Sequence, residues 1–160
     1  MRAISLHQPW ATAIALGIKR IETRKWRTHY RGPLVIHTAQ LESKYQKVFW
    51  RDVVMTTPCF RELFESAGYH RFSDLPFGAY VAQTQLIDCI KSEDFTFPPE
   101  LPRPDLRADA ASRSSWDRYW GNYASGRYGW VLGSIVPLSP ISAKGKQGFW
   151  IPSLPSLAET

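Results

Sequence analysis

Ser5-Leu6-His7-Gln8-Pro9-Trp10-Ala11, continued by Gly17-Ile18-Lys19-Arg20-Ile21-Glu22-Thr23-Arg24, is the stretch on which the fold of this 160-residue chain turns. The residues before it, Met1 to Leu6, read as a short first strand. Pro9 suits the first turn of a helix, because its ring fixes φ near the helical value. Trp10, Ile14 and Ile18 recur at four-residue spacing and share one helical face, with Ala13 and Gly17 beside them. Gly17 ends that helix. Ile21 to Trp26 then reads as a strand. Side chains alternate along a strand, so Ile21, Thr23 and Lys25 take one side and Glu22 and Arg24 the other.

Outward from this unit, Tyr30-Arg31-Gly32-Pro33 is a turn into Leu34-Val35-Ile36-His37, an unbroken run typical of a buried strand. Residues 41–54 predict a helix with Leu41, Tyr45, Val48 and Phe49 on its apolar face. A shorter helix is expected over Cys59 to Ala67, and strands over Gly78 to Ile90 and Trp130 to Val136. Residues 92–115 hold Pro98, Pro99, Pro102 and Pro104 and read as a loop insertion, since the strand pattern resumes after them. Lys144-Gly145-Lys146-Gln147-Gly148 is a turn before Phe149-Trp150-Ile151. The whole, residues 1–160, is expected to be one α+β domain: a small mixed β-barrel with two or three short peripheral helices.

Composition narrows the function. Twenty Lys and Arg against fourteen Asp and Glu leave a net charge of +6, a bias toward anionic partners. The excess is unevenly spread. Six basic residues fall between Lys19 and Arg31, opposed only by Glu22, and no acidic residue occurs from Arg118 to Trp150. Trp10, Trp26, Tyr30, Trp130 and Trp150 are interleaved with the basic stretches, and such rings can stack on unpaired bases. Three or four of the seven tryptophans are expected in the core. Cys59 and Cys89 are too few for a disulfide framework and read as reduced thiols. No signal peptide and no run approaching the ~20 apolar residues of a membrane span is seen. The expected location is cytoplasmic, or nuclear in a eukaryote. Neither a helical His-x-x-x-His pair nor a Cys/His quartet is present, so no metal or cofactor is expected.

The Ser5–Ala11 segment, the Gly17-x-Lys19-x-x-Glu22-x-Arg24 spacing, Tyr30–His37 and Lys144–Trp150 together resemble the ASCH family, named for activating-signal-cointegrator homology. The resemblance is strongest over residues 1–40. It implies a PUA-like fold and roles linked to RNA or DNA, coactivator-associated domains among them. Some small members are amidohydrolases of acetylated cytidine or ribonucleases. The amidohydrolases carry a threonine three residues after the lysine; Glu22 occupies that position here, so Ser5 is the hydroxyl left to substitute.

The expected function is recognition of nucleic acid, RNA rather than DNA, in a basic cleft where the early helix meets the next strand. Gln8, Trp10, Lys19, Arg20, Glu22, Arg24, Arg31, Lys144, Lys146 and Gln147 are the binding candidates. Arg24 has the fork to hold a phosphate, and Lys19 supplies a point charge. Three alternatives stand beside this one. The first is an enzyme acting on RNA or nucleosides with Lys19, Glu22 or Ser5 as catalytic candidates. The second is a ribonuclease whose His7 and His37 meet as acid and base. The third is a duplex-DNA or protein-interaction module. Within the sequence, Glu22 reads equally as the structural partner of Lys19 or Arg24. Oligomeric state is not legible.

Overall fold

The computed structural model describes residues 1–97 and 115–154; most of the Pro-rich insertion, residues 98–114, lies outside the described residues. Strands β1 (Arg2–Leu6), β2 (Ile21–Arg24), β3 (Gly32–Thr38), β4 (Ala79–Lys91) and β5 (Tyr128–Ser142) form one mixed sheet in the order β1-β3-β4-β5-β2. β1 runs parallel to β3, with Ser5 opposite His37, and every other pairing is antiparallel. Register shifts within β3–β4 and β4–β5 bend the long strands, as bulges do. The sheet therefore curls into a half-barrel. On the free side of β1, Trp150 makes an antiparallel bridge to Ala3, with both backbone bonds formed, at 2.7 and 3.2 Å. Helices α1 (Trp10–Ala15), α2 (Lys44–Phe49) and α3 (Pro58–Ser66) complete the α+β, PUA-like architecture.

Two cores flank α1. Ile4, Leu6, Leu34, Ile36, Leu86, Trp130 and Leu132 fill the barrel side, and Ala11 and Ile14 of α1 pack into them. Trp50, Phe60, Phe64, Trp116 and Trp120 make an aromatic layer on the other side, joined by Ala13 and Ile18. The single apolar face read from Trp10, Ile14 and Ile18 is thus incomplete: Ala11 to Ile14 are all buried, because the helix is wedged between two apolar layers. Truncating Phe64 to Ala would cost about 3–5 kcal/mol, the usual range for emptying a buried aromatic position. Five tryptophans are buried, more than the three or four expected, because the aromatic layer absorbs three of them.

The helix expected over 41–54 needs correction. Its N-cap is Ser43, whose Oγ accepts from the Gln46 N–H, so Leu41 lies before it. Leu41 is 56% exposed and Tyr45 71% exposed, while Gln46, Trp50 and Val54 point inward. Gln46 is buried because its amide donates to the carbonyls of Gln8 and Leu41, at 2.8 and 3.0 Å. A π-helical turn over Trp50–Val54 follows, re-aiming the apolar side chains. The α3 helix matches its expected bounds within a residue, while β5 continues to Ser142, beyond the expected Val136.

Candidate nucleic-acid interface

The signature segment builds a structural hub first. Gly17, at φ 74°, reverses the chain after α1, and the N–H groups of Ile18 and Lys19 both return to the Ala13 carbonyl. That turn drives the Lys19 side chain inward. Its ammonium donates to the carbonyls of Ile21 and Trp120, at 2.6 and 2.7 Å, and pairs with Glu22 at 3.3 Å. Three donors meet three acceptors, leaving no N–H for a ligand. Burial pushes the Lys19 ammonium below its ordinary pKa, with Glu22 and Asp117 pulling the other way. Asp117 accepts from the backbone N–H groups of Arg20 and Ile21, at 2.6 and 3.1 Å. Burial raises its carboxyl to about 6, against those bonds and the attraction of Lys19.

Several expected contacts are corrected by this arrangement. Lys19 is 1% exposed and Arg20 is buried beside it, so neither meets a polyanion in solvent. Gln8 is also buried, its amide donating to Thr12 Oγ1 and the Pro76 carbonyl, both at 2.7 Å. Arg31 is exposed but lies elsewhere, donating to the carbonyls of Thr28 and Tyr30 and pairing with Asp88 at 3.6 Å. Trp130 and Trp150 are core residues rather than stacking platforms. In each case the sequence showed a polar or aromatic side chain without showing which interior backbone group or ring it would meet.

Glu22 and Arg24 do project to a cleft, as the strand alternation requires. Glu22 bonds its own chain at the Thr23 N–H and pairs with Arg24 at 3.1 Å. Arg24 also donates to the Ser5 carbonyl at 2.9 Å and lies 5.8 Å from the Trp130 ring. Two cavities meet here, sharing Ser5, His7 and Arg24. The first, of about 410 Å³, is walled by the rings of Trp10, Tyr45, Phe49 and Tyr119, with Asn122 and Arg127 beside Glu22. Trp10 stacks on Tyr45 with 8° between the planes, and tilts on Phe49. The second, of about 830 Å³, is lined by His37 and by the Lys144–Gly148 loop. Lys144, Lys146 and Gln147 are exposed there, and neither lysine has an ion pair among the described residues. Among the described residues, Glu22 is the one carboxylate lining either cavity, against Arg24, Arg127, Lys144 and Lys146.

Thr23 is spent on structure: its Oγ1 accepts from the Asn122 N–H at 2.9 Å, and its carbonyl accepts from Arg127. Thr23 nevertheless lines the first cavity. His7 and His37 line the same second cavity, but His37 is bonded to Ser5 and Ala143 rather than to His7. Tyr45, Phe49, Tyr119, Asn122 and Arg127 were not singled out for the site by sequence. The acid-free run from Arg118 onward was the one available signal for Arg127.

The ASCH domain family model matches residues 4–102, more than half of the chain. The chain belongs to the ASCH family. Activating signal cointegrator 1 of mouse and of human are each 29% identical to it over 102 residues. Those matches cover 58% of this chain but 15% of each cointegrator, so the likeness is to one segment of a much longer protein. The family match takes in the end of β1 from Ile4, α1, the Lys19–Glu22–Arg24 hub, β3 and β4. The Lys144–Gly148 loop and β5 lie outside it. Among the described residues no helix of this ASCH domain is long and apolar enough to cross a membrane.

Proposed function

We propose that this ASCH domain binds single-stranded nucleic acid, RNA in preference to DNA, across the two joined cavities. The carrying observation is the pairing of a ring-walled cavity with a cation-lined one at Arg24. Phosphates lie against Lys144, Lys146 and the exposed part of Arg24, and an unpaired base enters between Tyr45, Trp10 and Tyr119. A concave, ring-lined cavity suits an extruded or unpaired base better than the regular face of a duplex. The coactivator kinship is compatible with this reading and also with a protein-interaction role.

Fluorescence anisotropy with a short labelled single-stranded RNA tests it. Affinity should fall steeply as salt rises, and Lys144→Ala and Lys146→Ala should each lower the log–log salt slope by about 1. Binding that ignores salt and both substitutions would remove the cleft from consideration. Tighter binding to duplex DNA of equal length would favour the duplex reading instead.

A further inference from the structure

Where the two cavities join, the structure holds a hydroxyl–imidazole pair that nucleic-acid binding does not use. The parallel register sets Ser5 of β1 opposite His37 of β3, and the shift between Ile36 and His37 lies at the same place. Ser5 Oγ is 2.8 Å from His37 Nδ1, and His37 Nε2 is 2.8 Å from the Ala143 carbonyl. A carbonyl only accepts, so Nε2 carries a hydrogen, and in the neutral ring Nδ1 then accepts from Ser5. The ring is fixed edge-on by Tyr80 and Trp150, at 5.7 and 5.6 Å. The Arg24 guanidinium holds the Ser5 backbone at its carbonyl. Ser5 faces both cavities. Gly145 lies directly against the pair: a β-carbon there would be 2.7 Å from Ser5 Oγ and 2.5 Å from His37 Cε1. Among the described residues, the backbone N–H groups of the Lys144–Gly148 loop have no acceptor.

We infer that Ser5 is a nucleophile, His37 its general base, and the cleft a site of carboxylic ester hydrolysis. A nucleophile bonded to a base that is itself oriented by a third group is the arrangement acyl transfer needs. Ser5 Oγ attacks the ester carbonyl carbon while its proton passes to His37 Nδ1. The carbon–oxygen bond to the alcohol breaks, and the departing oxygen takes that proton from His37. Water then attacks the Ser5 acyl group, giving one proton to His37, which returns it to Ser5 Oγ as the carboxylic acid leaves. The Ala143 carbonyl accepts from Nε2 throughout and steadies the imidazolium. The fitting substrate is an ester of an anionic molecule, its charge against Lys144 and Lys146 and its planar or apolar part in the ring-walled cavity.

The test is independent of nucleic-acid binding, so its failure leaves the proposed binding role standing. Purified protein is treated with a fluorophosphonate probe and mapped by mass spectrometry. One adduct on Ser5 is expected, absent in Ser5→Ala and slowed at least 100-fold in His37→Gln. Because His37→Gln can disturb the fold, Ser5→Cys gives a second reading. Its iodoacetamide alkylation at pH 6.5 should exceed that of a Ser5→Cys/His37→Gln chain, or of Cys59, by 10-fold or more. A Ser5 no more reactive than other serines, together with a Ser5→Cys thiol alkylated at the rate of Cys59, would overturn the assignment.

Discussion

The carboxylate of Asp117 holds the backbone N–H of Arg20 at 2.6 Å across 97 residues of sequence. This bond, with its companion at Ile21, fastens the segment after the Pro-rich insertion to the entry of β2. Asp117 and Lys19 are both buried and attract each other, beside the strand that carries Glu22 and Arg24.

Asp117 makes the protein's stability pH-dependent. Its folded-state value, about 6, lies above the ordinary 3.8, so the folded protein binds this proton more tightly than the unfolded chain. The stabilising contribution is therefore complete below 3.8 and is lost as pH rises through 6. Asp117→Asn keeps an oxygen for both N–H groups and removes the titration. Going from pH 7 to pH 4, the wild type should gain roughly 2–3 kcal/mol relative to the variant in urea unfolding. A difference that stays flat over that range would refute the assignment.

Lys19→Met should separate structure from binding. It strands two buried carbonyls and one of the Glu22 contacts, and breaking such a buried set costs about 3–5 kcal/mol. RNA affinity of the folded fraction should stay within about twofold, because the ammonium does not reach the cleft. A large affinity loss with unchanged stability would reverse this reading.

Tyr45 offers the opposite test. It is highly exposed, packs on Trp10, and contributes little to either core. Tyr45→Ala should leave the unfolding midpoint nearly unchanged and weaken single-stranded RNA binding by about 1–2 kcal/mol, the size of one lost base stack. Arg31→Ala, outside both cavities, should leave binding as it is; equal losses from the two variants would sink the proposed cleft.

Two glycines of one loop should respond differently. At Gly145 the obstacle is steric, since an added methyl collides with His37 and Ser5. Gly145→Ala should cost about 1–3 kcal/mol and disturb the His37 ring resonances in NMR. At Gly148 the added methyl meets nothing, but φ is 64°, so Gly148→Ala should cost about 1 kcal/mol through the backbone alone and leave His37 undisturbed. Identical spectra for the two variants would contradict this.

Local pattern was readable where burial and periodicity agree. The apolar run at Leu34–His37, the helix begun at Pro9 and the alternation of Glu22 and Arg24 all sit where the residues indicated. What could not be read was which polar groups would be buried. Lys19 looks like a solvated cation until Trp120, from the far end of the chain, presents its carbonyl. Gln46 looks like a surface residue until the loops at Gln8 and Leu41 need a donor. Tyr45 looks like core until Trp10 offers it a partner at the cleft. Each outcome depends on a contact distant in sequence, and periodicity carries no record of those. Ser5 and His37 were both legible as residues of interest, but their pairing follows from the parallel register of β1 and β3.

The bridge between Ala3 and Trp150 has a consequence for handling the molecule. It satisfies the outward-facing backbone of Ala3, at the end of the sheet. A chain trimmed before Trp150 would bare that border to pairing with a neighbouring molecule. Such a chain should self-associate and precipitate at concentrations where the intact protein remains dispersed, even though every residue of the cleft is still present.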